Sequence, residues 1–301
     1  MNDGYAVKVS NLTKHFNGLV AVDNISFDVK NGELFGFLGP NGAGKTTTIR
    51  MLTGVIKPDK GFASIFGYDV VKQGLKTRQM MGIVPEMSNA YVDLSSWNNL
   101  MLVGGLYGVN KPTRIERATS LLKKFDLYTR KDQLVKGFSK GMKQKLLLCM
   151  ALISEPKILF LDEPTSGLDV ESQRLIKGII REFNSKGTTV FLTTHNMEEA
   201  NQLCDRIAII NHGKIAEIDS PEKVRQQSCG LHTIEISFDK PVNGEDLLKL
   251  PSVNGANKMG DKFRLCVDET SIAIDSVVDY ARSKKLNLDY ISTLAPSLDS
   301  L

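Results

Sequence analysis

Over the first 35 residues apolar and polar side chains alternate as in half-buried strands, for example Ala6-Val7-Lys8-Val9 and Ile25-Ser26-Phe27-Asp28-Val29. Asn17-Gly18 and Asn31-Gly32 supply turn signals between these runs. A mainly apolar strand over residues 33–38 leads into a glycine-rich turn, and a helix-competent stretch over 46–53 leads out of it. Pro58-Asp59-Lys60-Gly61 reads as a turn, and Gly82-Ile83-Val84-Pro85 as a short strand closed by proline. From 88 to 155 the strand pattern fades, and the spacing predicts helices over 97–107, 114–125 and 140–153. This stretch has the character of a helical insertion into an α/β core. Continuous apolar runs then return at Ile158-Leu159-Phe160-Leu161 and Val190-Phe191-Leu192-Thr193, as expected of strands buried on both faces of a parallel sheet. Two further strands bracket Asn211-His212-Gly213, a predicted hairpin.

Beyond residue 225 a second unit is predicted. Ile234, Ile236 and Phe238 share one face of a strand; a helix over 244–250, strands over 253–258 and 263–267, a helix over 271–285 and a strand near Tyr290 follow. That βαββαβ order suits a small ferredoxin-like domain. The last residues, Pro296-Ser297-Leu298-Asp299-Ser300-Leu301, have the pattern of the first turn of another helix, where the chain stops abruptly or has been trimmed.

Composition narrows the class. A chain of 301 residues with 42% apolar content accommodates one large domain and a smaller one. The most apolar run, 146–153, is far shorter than the roughly 18 to 20 residues of a membrane span. The opening MNDGYAVKVS has neither the basic nor the apolar region of a secretion signal. Cys149, Cys204, Cys229 and Cys266 are scattered without CxxC spacing, so reduced thiols are expected and a cysteine metal site is not. The net charge of +4 is too small to argue for nucleic acid, and none is expected as a partner. Residues 225–301 carry nine Lys/Arg against eleven Asp/Glu, so the surplus of +6 lies in the first part.

Gly39-Pro40-Asn41-Gly42-Ala43-Gly44-Lys45-Thr46-Thr47 has the spacing of a phosphate-binding P-loop, between a strand and a helix. Glycines permit the tight turn that aims backbone N–H groups at a triphosphate, and the following helix points its positive end there. Lys45 can reach the β/γ oxygens and Thr46 can ligate Mg2+. A glycine-rich turn that binds nothing is the rival, and the flanking strand and helix argue against it. Leu161-Asp162-Glu163-Pro164 ends an apolar strand with two carboxylates: Asp162 is suited to the Mg2+ shell and Glu163 to polarising an attacking water. Ser139 and Gly141, within Phe138-Ser139-Lys140-Gly141-Met142, open a second helix start able to hold an anion.

Together these motifs resemble the nucleotide-binding subunit of an ATP-binding cassette (ABC) transporter over residues 5 to about 225. The resemblance implies an α/β fold, a P-loop NTPase core with an antiparallel β-subdomain and a helical subdomain, followed by the small α+β C-terminal domain. The division expected is 1–225 and 226–301. It further implies that Phe16 stacks on adenine, and that the segment with Ser139 and Gly141 contacts the γ-phosphate of ATP held by an opposite subunit. Ser166-Gly167-Leu168-Asp169 would be the D-loop, and His195 in Thr193-Thr194-His195 the switch histidine. ATP and Mg2+ are the implied cofactors, and a second nucleotide-binding subunit, more readily an identical one, the implied partner.

Two departures stand out. Glu86 in Ile83-Val84-Pro85-Glu86 occupies the place of a glutamine that completes the Mg2+ shell, and Lys140 and Met142 stand where glycine and glutamine are commoner. The SKGM form and the Pro-Ser-Leu-acidic ending resemble the drug-resistance, sodium-export and lipid- or polysaccharide-export branch, which pairs with a separate ABC-2 type permease. That implies an exporter ATPase, peripheral on the cytoplasmic face of the membrane, with the surface from Glu86 to Leu100 receiving the permease. Trp97 serves there or in the cassette's own core. A soluble ABC ATPase acting on nucleic acid or the ribosome is the alternative; one cassette, no CxxC pair and no long heptad run count against it. A ligand-sensing role for the C-terminal domain is a third reading.

Overall fold

The computed structural model describes residues 4–87, 90–228 and 232–294. The chain divides into two compact units, Met1–Ser220 and Pro221–Leu301. In the first unit the order is β1 (Tyr5–Phe16), β2 (Leu19–Lys30), β3 (Leu34–Leu38), α1 (Lys45–Leu52), β4 (Lys60–Ile65), β5 (Tyr68–Asp69), α2 (Gly74–Gln79) and β6 (Met81–Val84). Next come α3 (Ser96–Leu106), α4 (Lys111–Lys124), α5 (Lys140–Leu152), β7 (Ile158–Asp162), α6 (Val170–Ser185), β8 (Thr189–Thr194), α7 (Met197–Leu203), β9 (Arg206–Asn211) and β10 (Lys214–Asp219).

An antiparallel sheet, β2-β1-β4-β5, packs on a six-stranded sheet of order β10-β9-β3-β8-β7-β6. In the second sheet β3, β6, β7, β8 and β9 are parallel and β10 is antiparallel. The strands β3, β7 and β8 are buried along their whole length, which is why each carries a continuous apolar run. Phe27 of β2 joins the sheets: its ring lies 5.5–6.0 Å from those of Phe35, Phe37 and Phe191. Asn17 and Gly18, at φ 45° and 87°, make the two-residue turn between β1 and β2, and His212 and Gly213 do the same between β9 and β10.

The helical stretch keeps its three helices, with one start displaced. The helix α4 begins at Lys111 rather than 114, because Asn110 caps it by accepting from Thr113 N at 3.0 Å and Pro112 fits its first turn. Trp97 lies half-buried in the first turn of α3, with Lys131 Nζ 5.3 Å from its ring.

The second unit contains α8 (Pro221–Ser228), β11 (His232–Phe238), α9 (Gly244–Leu247), β12 (Val253–Met259), β13 (Lys262–Val267), α10 (Thr270–Lys284) and β14 (Leu288–Leu294). Its sheet is antiparallel, in the order β12-β13-β11-β14, around a core that includes Ile234, Ile236, Leu247 and Leu265. The helix expected over 244–250 stops at Leu247 and continues as turns to Leu250, after which comes Pro251. Cys229 and the Pro-Ser-Leu-acidic ending lie outside the described residues. Among the described residues no helix is long and apolar enough to cross a membrane.

Candidate functional site

Because β3, β6, β7 and β8 run parallel, the segments that leave their carboxyl ends all emerge along one edge of the sheet. Residues far apart in sequence therefore meet there. The glycine-rich loop follows β3, Glu86 follows β6, Asp162-Glu163 end β7, and His195 follows β8.

The loop is shaped by contacts that leave no room for larger residues. A Cβ on Gly39 would stand 2.2 Å from Ile210 O; one on Gly44, at φ 108°, would stand 2.5 Å from Ala21 O. Gly44 is also the residue before α1, so the first N–H groups of that helix face the loop's interior. Lys45 is buried and donates to Gly39 O at 2.6 Å and Pro40 O at 3.1 Å. Its Nζ is also 3.2 Å from Glu163 Oε1, a buried oxygen that accepts no hydrogen bond. That pairing is a charge contact without hydrogen-bond geometry. It leaves the oxygen's lone pairs able to accept from a group bound in the cleft.

Glu163 itself sits at φ 50°, in the left-handed region that bulky L residues avoid. Its N–H is held by Thr193, through Oγ1 at 3.1 Å and the carbonyl at 3.2 Å. The same Thr193 hydroxyl donates to Asp162 Oδ1 at 2.5 Å. Glu163 Oε2 meets His195 Nδ1 at 2.9 Å, with the imidazole half exposed. A carboxylate so placed has one oxygen toward the P-loop lysine and the other toward a histidine at the cleft's edge.

A cleft of about 760 Å3 opens over this edge. It is lined by Phe16, Pro40, Asn41, Gly42, Gly44, Lys45, Thr46, Thr47, Glu86 and Glu163 of the sequence-derived set. Gly39 and Ala43 complete the loop behind it, and Asp162 is buried beneath. The cleft also has walls that the sequence did not single out: Leu19, Val20 and His212, beside the half-exposed Phe16 ring. They come from two hairpins, and no motif spacing marks them. Thr193 was visible as a polar residue ending an apolar run, but its grip on both Asp162 and Glu163 was not.

Ser139, Gly141, Asp169 and His195 do not line this cleft, although His195 touches Glu163, which does. Ser139 caps α5 by accepting from Met142 N at 3.2 Å. Asp169 caps α6, accepting from Ser172 N at 2.8 Å and Ser172 Oγ at 3.0 Å, and these bonds hold its carboxyl below the usual carboxylate range. A Cβ on Gly141 would stand 3.0 Å from Ser172 Oγ, so the starts of α5 and α6 abut. Lys140 Nζ lies over Gly167.

The residues fit a triphosphate and a hard cation. The loop offers N–H groups and a lysine, and Thr46, Glu86 and Asp162 would offer a bound magnesium ion only oxygen donors, the chemistry it takes. Such a site on such a sheet defines a P-loop nucleotide-binding ATPase.

Residues 22–166 match the family described as ABC transporter. The chain is 41% identical over 210 residues to the daunorubicin/doxorubicin resistance ATP-binding protein DrrA of Streptomyces peucetius, spanning 70% of this chain and 64% of that protein. It is 39% identical to the Nod factor export ATP-binding protein I of Burkholderia lata, over 79% and 78% of the two chains. Similarity to the linearmycin resistance ATP-binding protein LnrL of Bacillus subtilis extends through both units, at 33% identity over 98% of this chain and 96% of the relative. Among solved structures, a dimeric ATP-binding cassette bound to ADP and Pi aligns with TM-score 0.66 and 25% identity, over 71% of this chain and 98% of that one. The chain belongs to the ABC transporter family, within which it carries the ATP-binding, ATP-hydrolysing domain.

Proposed function

We propose that this chain powers an exporter by binding and hydrolysing ATP beside a separate ABC-2 type permease, on the cytoplasmic face of a membrane. The observation that carries the catalytic part is the convergence of Lys45 and His195 on Glu163, which lines the cleft. The names of the relatives, which speak of drug resistance and export, support the transport part. In this reading Phe16 stacks on the adenine, the loop from Gly39 to Thr47 holds the phosphates, and Thr46, Asp162 and Glu86 hold Mg2+, which neutralises charge on the phosphate oxygens. Glu163 orients the attacking water and His195 contacts the γ-phosphate. Ser139, Gly141 and Asp169, grouped where the starts of α5 and α6 abut, serve the nucleotide of a second copy, so that two chains enclose two nucleotides.

Glu86 gives the reading its sharpest test, since a carboxylate binds a divalent cation more strongly than an amide does. The purified chain is expected to release phosphate from ATP only with Mg2+. In Glu86→Gln the half-saturating Mg2+ concentration should rise, and Mn2+ bound with ATP, followed by electron paramagnetic resonance, should weaken in parallel. A chain that releases no phosphate would end the ATPase reading. Unchanged metal affinity in Glu86→Gln would remove Glu86 from the metal shell.

A further inference from the structure

Two links join the loop after β7 to the segment after β8. The direct one is the contact between Glu163 and His195. The second is buried and takes no part in the chemistry above. Thr165 Oγ1 donates to Glu199 Oε1 at 2.5 Å, and the two residues are only 6% and 3% exposed. Glu199 stands in the first turn of α7, the helix that begins just after His195; Asn196, its cap, accepts from Glu199 N at 3.1 Å. Thr165 lies two residues beyond Glu163, and its carbonyl, with that of Leu168, accepts from Gln173 Nε2 of α6 at 3.3 and 3.1 Å. The turn carrying Glu163 is thus held from one side by α6 and from the other by α7.

Burying a carboxylate costs free energy that apolar packing at the same place would avoid. The hydrogen bond to Thr165 gives directional control that packing would not.

We propose that Glu199 is a positioning residue: through Thr165 it keeps the turn bearing Glu163 in register with the helix that follows His195, so that the two catalytic groups stay aligned through turnover. The inference rests on the ATPase reading. Its test separates the bond from the charge, because Gln at 199 keeps the acceptor oxygen and Ser at 165 keeps the donor hydroxyl.

In the full chain, Thr165→Val and Glu199→Met should each lower kcat for ATP by about tenfold, the scale expected of a sub-ångström misplacement. KM should stay within about twofold, because the phosphate-binding loop is untouched. Thr165→Ser and Glu199→Gln should retain the wild-type rate. The double variant Thr165→Val/Glu199→Met should be no slower than either single one, since both remove the same link. Thermal melts fix a temperature at which every variant is folded. Wild-type kcat in both bond-breaking variants would overturn the proposal, as would an equal loss in Glu199→Gln, which would mean that charge at the helix start is what matters. A wild-type chain without ATPase activity would instead overturn the reading beneath it.

Discussion

In the proposed mechanism Glu163 carries the largest share of the chemistry, and its backbone is held in a strained conformation. At φ 50° its side chain turns back toward the P-loop, with Thr193 holding the N–H. A non-glycine residue kept in that region costs about 1–3 kcal/mol and persists where the surroundings over-determine it. Replacing Glu163 by Gln keeps shape and removes the basic oxygens. Hydrolysis is therefore expected to slow by roughly 10²- to 10⁴-fold, the range of a lost general base, while ATP still binds. Phosphate release and equilibrium nucleotide binding on the same preparation check this; loss of binding in step with rate would assign Glu163 to ground-state affinity. The two adjacent carboxylates after an apolar run were legible in the sequence. The strained turn was not, because hydrophobic periodicity reports which face is buried and says nothing of a single residue's φ.

At the scale of elements, patterning named most strands and helices because burial dictates them: β3, β7 and β8 are buried along their whole length and carry apolar runs at their centres. Ends were less legible, as local chemistry decides them. Asn110 moved the start of α4, and α9 gave way to turns after Leu247. The turn between α1 and β4 shows another local device. Asp59 accepts from Lys14 Nζ at 2.8 Å and from His15 N at 2.7 Å, tying the turn to β1. The Lys14 bond, then the His15 N–H, lower its pKa to about 2. A carboxyl depressed in the folded state adds stability above its unfolded pKa, and loses that contribution as pH falls toward 2. Wild-type unfolding midpoints should thus decline between about pH 4 and pH 2, and Asp59→Asn should flatten that limb. A limb of unchanged slope in the variant would show that other carboxyls govern it. Since Asp59 is solvent-exposed, the effect should shrink in high salt.

For the whole molecule, the sequence held the motifs and their order but not their meeting, which depends on strand order. The sheet places β7 and β8 between β3 and β6, so the loop after β3 and Glu86 after β6 reach one cleft across intervening strands. No spacing along the chain encodes that distance. The same geometry leaves Ser139 and Gly141 outside the cleft, at the start of α5 where it abuts α6. A helix start with a capping serine and free N–H groups has the means to hold a phosphate, and a second copy is where that phosphate would come from. Association should then require nucleotide and persist when hydrolysis is blocked. Light scattering of Glu163→Gln with ATP and Mg2+ should give twice the 33.2 kDa chain mass, and the monomer mass without nucleotide. Adding Ser139→Arg, which crowds the helix start, should restore the monomer while leaving ATP affinity of the isolated chain near that of Glu163→Gln alone. Dimers that form equally with and without ATP, or that survive Ser139→Arg, would place the interface elsewhere and return α5 to a purely structural role.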